Sequence, residues 1–348
     1  MEFGYFTLSD NHYPDNPRTA SQLVLEIREQ AILADQLGYH SAWIGEHHFN
    51  RLGVNSRPDI LLASIIPETT QIRLAPAVNV LPIHHPIHVA EMYATLDLLS
   101  GGRVDYACGR GYDRAEYIPF GADFMTSAEV FEEGLELLQK AWTEPGMWSF
   151  HGDYYHIENM EITPKSVQEP IPIYVGSFSK TSVDLAARKG LNIIYAPFAA
   201  AMVFGGLKEA VDGYREATIT EGNTPGRAMC SYFIFIADSP EAEDRGRQYQ
   251  IDYFQHSVLR AFPDDPSKMP PTMHYFMKIN KILRNTKKED LSDRSILIGS
   301  PSKIIDSLKK IEAAGIDEVI LYFNVGRKPH EMVKEQMHRF SEEIAVEF

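Results

Sequence analysis

Helical periods that stop at a glycine and run straight into a short apolar strand are the repeating unit of this chain. ADQLGYHSAWIG (34–45), ARKGLNIIYA (187–196) and IEAAGIDEVILYF (311–323) all carry it. Glycine at the helix end supplies the left-handed residue that caps the last carbonyls. A run of Ile, Val, Tyr and Trp without alternation is what a strand buried on both faces requires. The pattern predicts eight strands, near 2–8, 40–45, 72–80, 103–109, 171–176, 191–196, 228–236 and 317–323. Between them, apolar residues three and four apart trace single helix faces. Examples are Leu23, Ile27, Ala31 and Ala34, then Phe131, Leu135, Leu138 and Trp142. Ile304, Leu308 and Ile311 do the same, as do Val333, Met337, Phe340 and Ile344.

Strands alternating with helices imply parallel βα units. Eight of them in 348 residues predict an α/β fold, a (β/α)8 TIM barrel in preference to a doubly wound open sheet. We read residues 1–348 as one domain with two insertions. MWSFHGDYYHIENM (147–160) reads as a β-hairpin turning at Gly152-Asp153. The stretch 259–293 holds Pro263, Pro266, Pro270 and Pro271, then the polar run RNTKKEDLSD, without strong periodicity. Such a segment is a lid or a disordered loop, and we read it as a lid over the barrel mouth.

Composition narrows the partners. The chain is 44% hydrophobic and 23% charged, ordinary for a globular protein, with a net charge of -15. That acidity argues against nucleic acid and anionic membranes as partners. Two cysteines, Cys108 and Cys230, are too few for a disulfide framework. The opening MEFGYFTLSDNHYPDN lacks a signal-peptide pattern, and no apolar run approaches membrane length. A cytoplasmic location is the expectation.

Candidate chemistry gathers after strands two and three. WIGEHHF places Glu46, His47 and His48 after the first of these, and LPIHHPIH places His84, His85 and His88 after the second. Barrel active sites lie at those strand ends. Adjacent residues on an extended chain point opposite ways, so His47 and His48 do not readily share one ion. The spacing of helical zinc sites is absent, and strand one, FGYFTL, has no His-x-His. No metal site is expected here. The alternatives are a buried histidine satisfied by Glu46 or a carbonyl, and a histidine that exchanges a proton with a bound reactant; the second suits an imidazole near neutral pH. Ser177, Ser179, Thr181 and Ser182, in GSFSKTS between strand five and its helix, offer hydroxyls and free N–H groups to an anion, although capping alone explains one of them.

WIGEHHF resembles the Glu-His-His-Phe signature of bacterial luciferase and its relatives, the flavin-dependent luciferase-like monooxygenases. Further stretches resemble that family in order: FGYFTL at the start, LAPAVNVLPIHHP (74–86), LDLLSGGRVDYACGRGYDRAEYIPFGAD (96–123), PIPIYVGSFSKTSVDLAARKGL (170–191) and LIGSPSKIIDSLKKIEAAGIDEVIL (297–321), the closing βα unit. The resemblance implies reduced FMN (FMNH2), bound without covalent attachment at the barrel mouth. Dioxygen would add to it as a flavin 4a-(hydro)peroxide that oxygenates a small apolar or carbonyl substrate. A separate NAD(P)H:flavin reductase would supply the reduced flavin, and this chain has no Gly-x-Gly-x-x-Gly fingerprint between a strand and a helix. A homodimer through the helices at 58–69 and 87–100 is implied too.

The family's site residues carry over by motif. His47 would handle a proton and Glu46 would orient or support the site, while His48 would pack inward. Arg110 would contact the flavin phosphate with its planar fork. Gly109 and Gly111 would let the backbone approach the ligand. Ser177, Ser179 and Thr181 would join the phosphate site. Ala77 and Val78 align with a pair that is a non-prolyl cis peptide beneath the flavin in many relatives. Tyr112, Phe120, Tyr195 and Phe198 are candidates to line a substrate cavity. Two departures weigh against light emission and the luciferase substrate. The reactive cysteine of luciferase aligns with Gly109, which turns Cys108 to the other strand face, and its acidic residue after strand five is Phe178 here. A deazaflavin-dependent hydride-transfer enzyme of the same superfamily, and a non-catalytic flavin-binding relative, are the alternatives.

Overall fold

Strand β1 (Glu2–Thr7) sits between β2 (Ser41–Ile44) and β12 (Glu318–Tyr322), all parallel. From β2 the sheet continues to β3 (Arg73–Pro76). From β12 it runs through β10 (Ala228–Ile236), β9 (Asn192–Tyr195), β8 (Ile173–Ser177) and β5 (Tyr106–Gly109) to β4 (Asn79–Val80). The computed structural model describes residues 1–196, 200 and 203–348. β3 and β4 are halves of the one strand predicted at 72–80, interrupted at a cis Ala77–Val78 peptide. A parallel bridge from Leu74 to Val104 links β3 to the β5 side and closes the ring.

The barrel is therefore the predicted one, with one strand more than expected. β11 (Ile296–Gly299) pairs with Phe233–Ile236, the C-terminal half of β10. β12 pairs with Met229–Phe233, its N-terminal half. A nine-residue β10 is long enough to serve both partners. With β3 and β4 taken together, nine parallel strands form the wall. The helical faces read from the sequence are the buried ones: Leu23, Ile27, Ala31 and Ala34 are at most 1% exposed. They pack with the outward strand side chains in one buried cluster.

The hairpin is present as β6 (Trp148–His151) against β7 (His156–Met160), antiparallel. Its loop is held from below by Glu133, whose carboxylate accepts from the backbone N–H groups of Asp153, Tyr154 and Tyr155 at 2.8, 2.9 and 2.7 Å.

The 259–293 segment differs from its prediction as an aperiodic stretch. Tyr275–Asn285 is a helix that buries Phe276, Ile279, Asn280 and Leu283. Exposed Met277 and Ile282 mask that spacing in the sequence. Before it, the helix Pro240–Tyr253 runs on through a widened turn at Phe254–Val258. Phe262, Phe276 and Ile279 join Trp43, Ala107 and Met229 from inside the barrel in a second buried cluster. The insertion thus caps the C-terminal mouth. Among the described residues, no helix is long and apolar enough to cross a membrane.

Candidate active site

Between the strand ends and the insertion lies a cavity whose empty space, mouth included, is about 1480 Å³. His47, Val78, Arg110, Tyr112, Glu116 and Ser177 line it, together with Phe262 and Phe276 of the insertion. This is where a parallel barrel presents its loops.

The loop after β2 is fixed by Asn55, whose amide donates to the Gly45 carbonyl (3.0 Å) and whose own carbonyl accepts from the His47 N–H (2.9 Å). That anchoring sends the three polar side chains of the motif to different partners. The His47 Nδ1 faces Glu116 Oε1 at 3.2 Å, and the same oxygen accepts from the His48 N–H at 2.7 Å. Both His47 and Glu116 are buried. Glu46 turns away from His47. Its Oε1 meets His48 Nε2 at 2.9 Å and His84 Nε2 at 2.6 Å, and its Oε2 accepts from the Asn79 amide (2.6 Å) and the Val80 N–H (3.2 Å). Glu46 thus holds His48, His84, Asn79 and Val80, while the acid that touches His47 is Glu116. His48 is the inward hydrogen-bonder expected.

Burial alone would push the Glu46 carboxyl upward, but the bonds from His48 and His84 and their positive field outweigh it and hold it at about 2. A buried charge persists when donors surround it, as four do here. Tyr106 extends the network, its hydroxyl donating to Asn79 Oδ1 at 2.7 Å.

Val78 forms part of the cavity floor. A Cβ on Gly109 would lie 2.9 Å from Val78 Cγ2, and one on Gly176 would lie 3.0 Å from Val78 Cγ1. Glycine at both positions is what lets the valine settle between β5 and β8. Gly111 is required for a second reason, its φ of +68°.

The polar rim of the cavity contains Arg110, Ser177, Ser179 and Ser182. Ser179 caps the helix Lys180–Arg188, and Ser177 Oγ lies 2.9 Å from Ser182 Oγ. Thr181, expected in this set, is exposed and does not line the cavity. On a helix the residue two after the cap points away from the face that its neighbour Ser182 presents. Arg110 reaches across the mouth to Thr272 Oγ1 of the insertion, 3.1 Å away.

Tyr112 packs edge-on against Phe262, ring centroids 4.8 Å apart, and also contacts Phe276 and Phe178. It lines the cavity with Tyr195, as expected. Phe120 does not; it packs on His48 and Phe49 outside. Phe198 lies outside the described residues. Cys108 and Cys230 are fully buried on the helix-facing side of their strands, and burial pushes both thiols well above their usual range. They are structural, as read from the sequence.

Sequence reasoning missed Glu116, Gly176 and the aromatic residues of the insertion. Glu116 had a signal. Asp113-x-x-Glu116 has the spacing of a helix cap, at the catalytic end of a strand. Asp113 does cap the short helix Arg114–Tyr117, which carries Glu116 to His47.

The chain has relatives of known activity in sequence and in fold. The chain is 25% identical over 350 residues to the oxygenase component of the flavin-dependent trigonelline monooxygenase of Acinetobacter baylyi, covering 93% of this chain and 92% of that one. The oxygenating constituent of 3,6-diketocamphane monooxygenase, from the CAM plasmid of Pseudomonas putida and in complex with FMN, superposes with a TM-score of 0.77 at 22% identity, covering 100% of this chain and 98% of that one. An F420-dependent secondary alcohol dehydrogenase in complex with an F420-acetone adduct superposes with a TM-score of 0.75 at 17% identity, over 99% and 98%. The two structures show a shared fold. The family model described as luciferase-like monooxygenase matches residues 1–318, and on that match the chain belongs to the luciferase-like monooxygenase family.

Proposed function

We propose that the protein is the oxygenase component of a two-component, FMNH2-dependent monooxygenase acting on a small apolar or carbonyl compound. The observation that carries this reading is the union of an apolar floor with a polar rim in one cavity. Val78, seated between Gly109 and Gly176, offers an apolar surface to a ring system. Arg110, Ser177 and Ser179 offer charge and hydroxyls to a phosphate at the edge. A flavin mononucleotide has that division, a planar ring joined to a phosphate. Its presence in a related fold supports the choice.

When bound, reduced FMN supplies the electrons that activate dioxygen. The chain's own residues do the rest. Glu116 holds His47 at Nδ1, which leaves Nε2 to give or take a proton at a bound reactant. Glu46 ties the loop after β2 to β4 and to the loop that follows it through its four donors. The insertion roofs the cavity with Phe262 and Phe276 and excludes water. The reading includes a separate NAD(P)H:flavin reductase, a cytoplasmic location and a single domain over 1–348. It also includes a homodimer, for which exposed Ile60 and Leu99, on the helices Pro58–Ile65 and Pro86–Ser100, supply apolar contact surface.

The test is anaerobic binding of reduced FMN followed by rapid mixing with dioxygen. The expected result is a spectral species distinct from reduced and oxidised flavin that outlives the reoxidation of free reduced FMN. Failure to bind reduced FMN, with tight binding of F420, would replace this reading by deazaflavin hydride transfer. Binding with reoxidation at the free rate would favour a non-catalytic flavin carrier.

A further inference from the structure

Among the described residues, three sets of imidazole and carboxylate groups converge closely, and their geometry sets them apart. In the first, Glu46 is already saturated by His48, His84, Asn79 and Val80. The second, Glu2, His40 and Glu318, encloses the Arg227 guanidinium, which donates to both Glu2 and Glu318, so a cation is in place. The third lies on the hairpin, outside the lining of the cavity.

His151 and His156 face each other across β6 and β7, and Glu158 follows two residues along, on the side of His156. His151 Nδ1 and His156 Nε2 are 3.3 Å apart, His156 Nε2 and Glu158 Oε1 are 3.1 Å apart, and His151 Nδ1 and Glu158 Oε1 are 3.5 Å apart. Bonds of about 2.0–2.2 Å to a tetrahedral zinc ion separate neighbouring donors by about 3.3–3.5 Å. The 3.3 and 3.5 Å separations match that spacing and the 3.1 Å one falls just inside it, so a small side-chain rotation at Glu158 completes one face of such a tetrahedron. Among the described residues, neither lysine nor arginine pairs with any of the three.

We propose that this face of the hairpin binds one borderline divalent transition metal, with Zn²⁺ as its natural representative. His151, His156 and Glu158 are the ligands, and the fourth position is open to water or to a donor from another molecule. Two imidazoles and a single carboxylate select zinc-like ions over Mg²⁺ or Ca²⁺, which prefer all-oxygen shells.

The scaffold is set before the metal arrives. Trp148 and Ile157 are buried beneath the hairpin, and Glu133 grips the loop through three N–H groups. A Cβ on Gly152 would lie 2.1 Å from Glu133 Oε1, so glycine is needed for that grip. Ser149 Oγ stands 3.5 Å from Glu158 Oε2 and steadies the carboxylate from its far side. Only side-chain rotations remain for binding to order. None of the three ligands lines the active-site cavity, so the site is independent of the flavin reading.

The experiment uses the full chain, stripped with a chelator and then freed of it, titrated with Zn²⁺ by calorimetry and with Co²⁺ by visible absorbance. The proposal expects one ion per chain and the intense visible bands of tetrahedral Co²⁺. His151→Asn and His156→Asn should each weaken Zn²⁺ binding by more than the ~10–100-fold that loss of an outer-shell partner costs. Both variants should bind FMN as the parent does, since both residues are exposed on the hairpin. Absence of Zn²⁺ binding overturns the proposal. So does binding that survives both substitutions, or binding that is lost instead in His84→Asn.

Discussion

Replacing Glu116 with glutamine removes a charge while keeping the side chain's shape and one acceptor oxygen. In the parent, Glu116 Oε1 serves both His47 Nδ1 (3.2 Å) and the His48 N–H (2.7 Å), and the carboxylate is 2% exposed. The glutamine oxygen can take over both bonds, with its amide nitrogen in the Oε2 position away from the two donors. What is lost is charge assistance, about 1 kcal/mol for each bond, or about 2 kcal/mol in all. The share that falls on the His48 N–H is a cost in stability. The share that falls on His47 bears on how the imidazole is held, and about 1 kcal/mol there slows a His47-dependent step roughly 5-fold. Glu116→Ala leaves two buried donors without an acceptor, at about 1–3 kcal/mol each, so its slowing should reach ~100-fold. The assay is single-turnover reoxidation of bound reduced FMN by dioxygen, alongside anaerobic titration of FMN affinity. Glu116 acts through His47, so the Glu116→Gln/His47→Asn double variant should be no slower than His47→Asn alone, and FMN affinity should hold within about threefold. Additive losses in the double variant, or a loss confined to FMN affinity, would refute the reasoning.

Three further outcomes follow from the same geometry. Arg110→Met should weaken FMN ~10–100-fold while leaving riboflavin, which has no phosphate, unchanged; equal effects on both ligands in equilibrium titrations would remove Arg110 from the phosphate site. Gly109→Ala should cost about 1–3 kcal/mol by pressing on Val78 and should be relieved by Val78→Ala, as thermal melts of the single and double variants would show; a silent Gly109→Ala counts against the cradle. At the barrel floor, Glu2, Asp105 and Glu318 pair among the described residues with Arg73 and Arg227, with His40 beside them, and burial pushes Glu318 up to about 8 against the pull of Ser41 and Arg227. The native state therefore keeps a proton that the unfolded chain releases above ~4.5, so stability falls as pH rises from there toward about 8. Glu318→Gln should then be more stable than the parent at pH 9, by ~2 kcal/mol or more, with the advantage gone near pH 4.5; a destabilised variant at pH 9 in melting experiments contradicts this.

The barrel was legible because its strands are buried on both faces and its helices on one, so burial wrote both periods into the chain. The extra strand β11 was not, because four residues after a polar run carry no period of their own. The helix Tyr275–Asn285 was hidden for the opposite reason: apolar side chains on its exposed side blur the stripe. At the site, the sequence could place Glu46, His47 and His48 at a strand end but not assign their partners. Which carboxylate meets which imidazole depends on where the helix Arg114–Tyr117 docks, a contact 69 residues away in the chain. Thr181 and Ser182 are adjacent in sequence, and only the helix start decides that the second faces the cavity.

The split pairing of β10 has a consequence for how this enzyme can change. Both ends of the stretch between β10 and β11 are stitched to the same rigid strand, through Phe233–Ile236 and Ile296–Gly299. The roof of the cavity is thus one contiguous cassette with fixed attachment points. His47, Glu116, Arg110 and the glycine floor are encoded elsewhere. Exchange of the cassette by recombination would present a new ceiling to the cavity without disturbing barrel register or the His47–Glu116 contact. A chimera carrying a relative's residues between those two anchors is the smallest unit in which selectivity can be inherited whole.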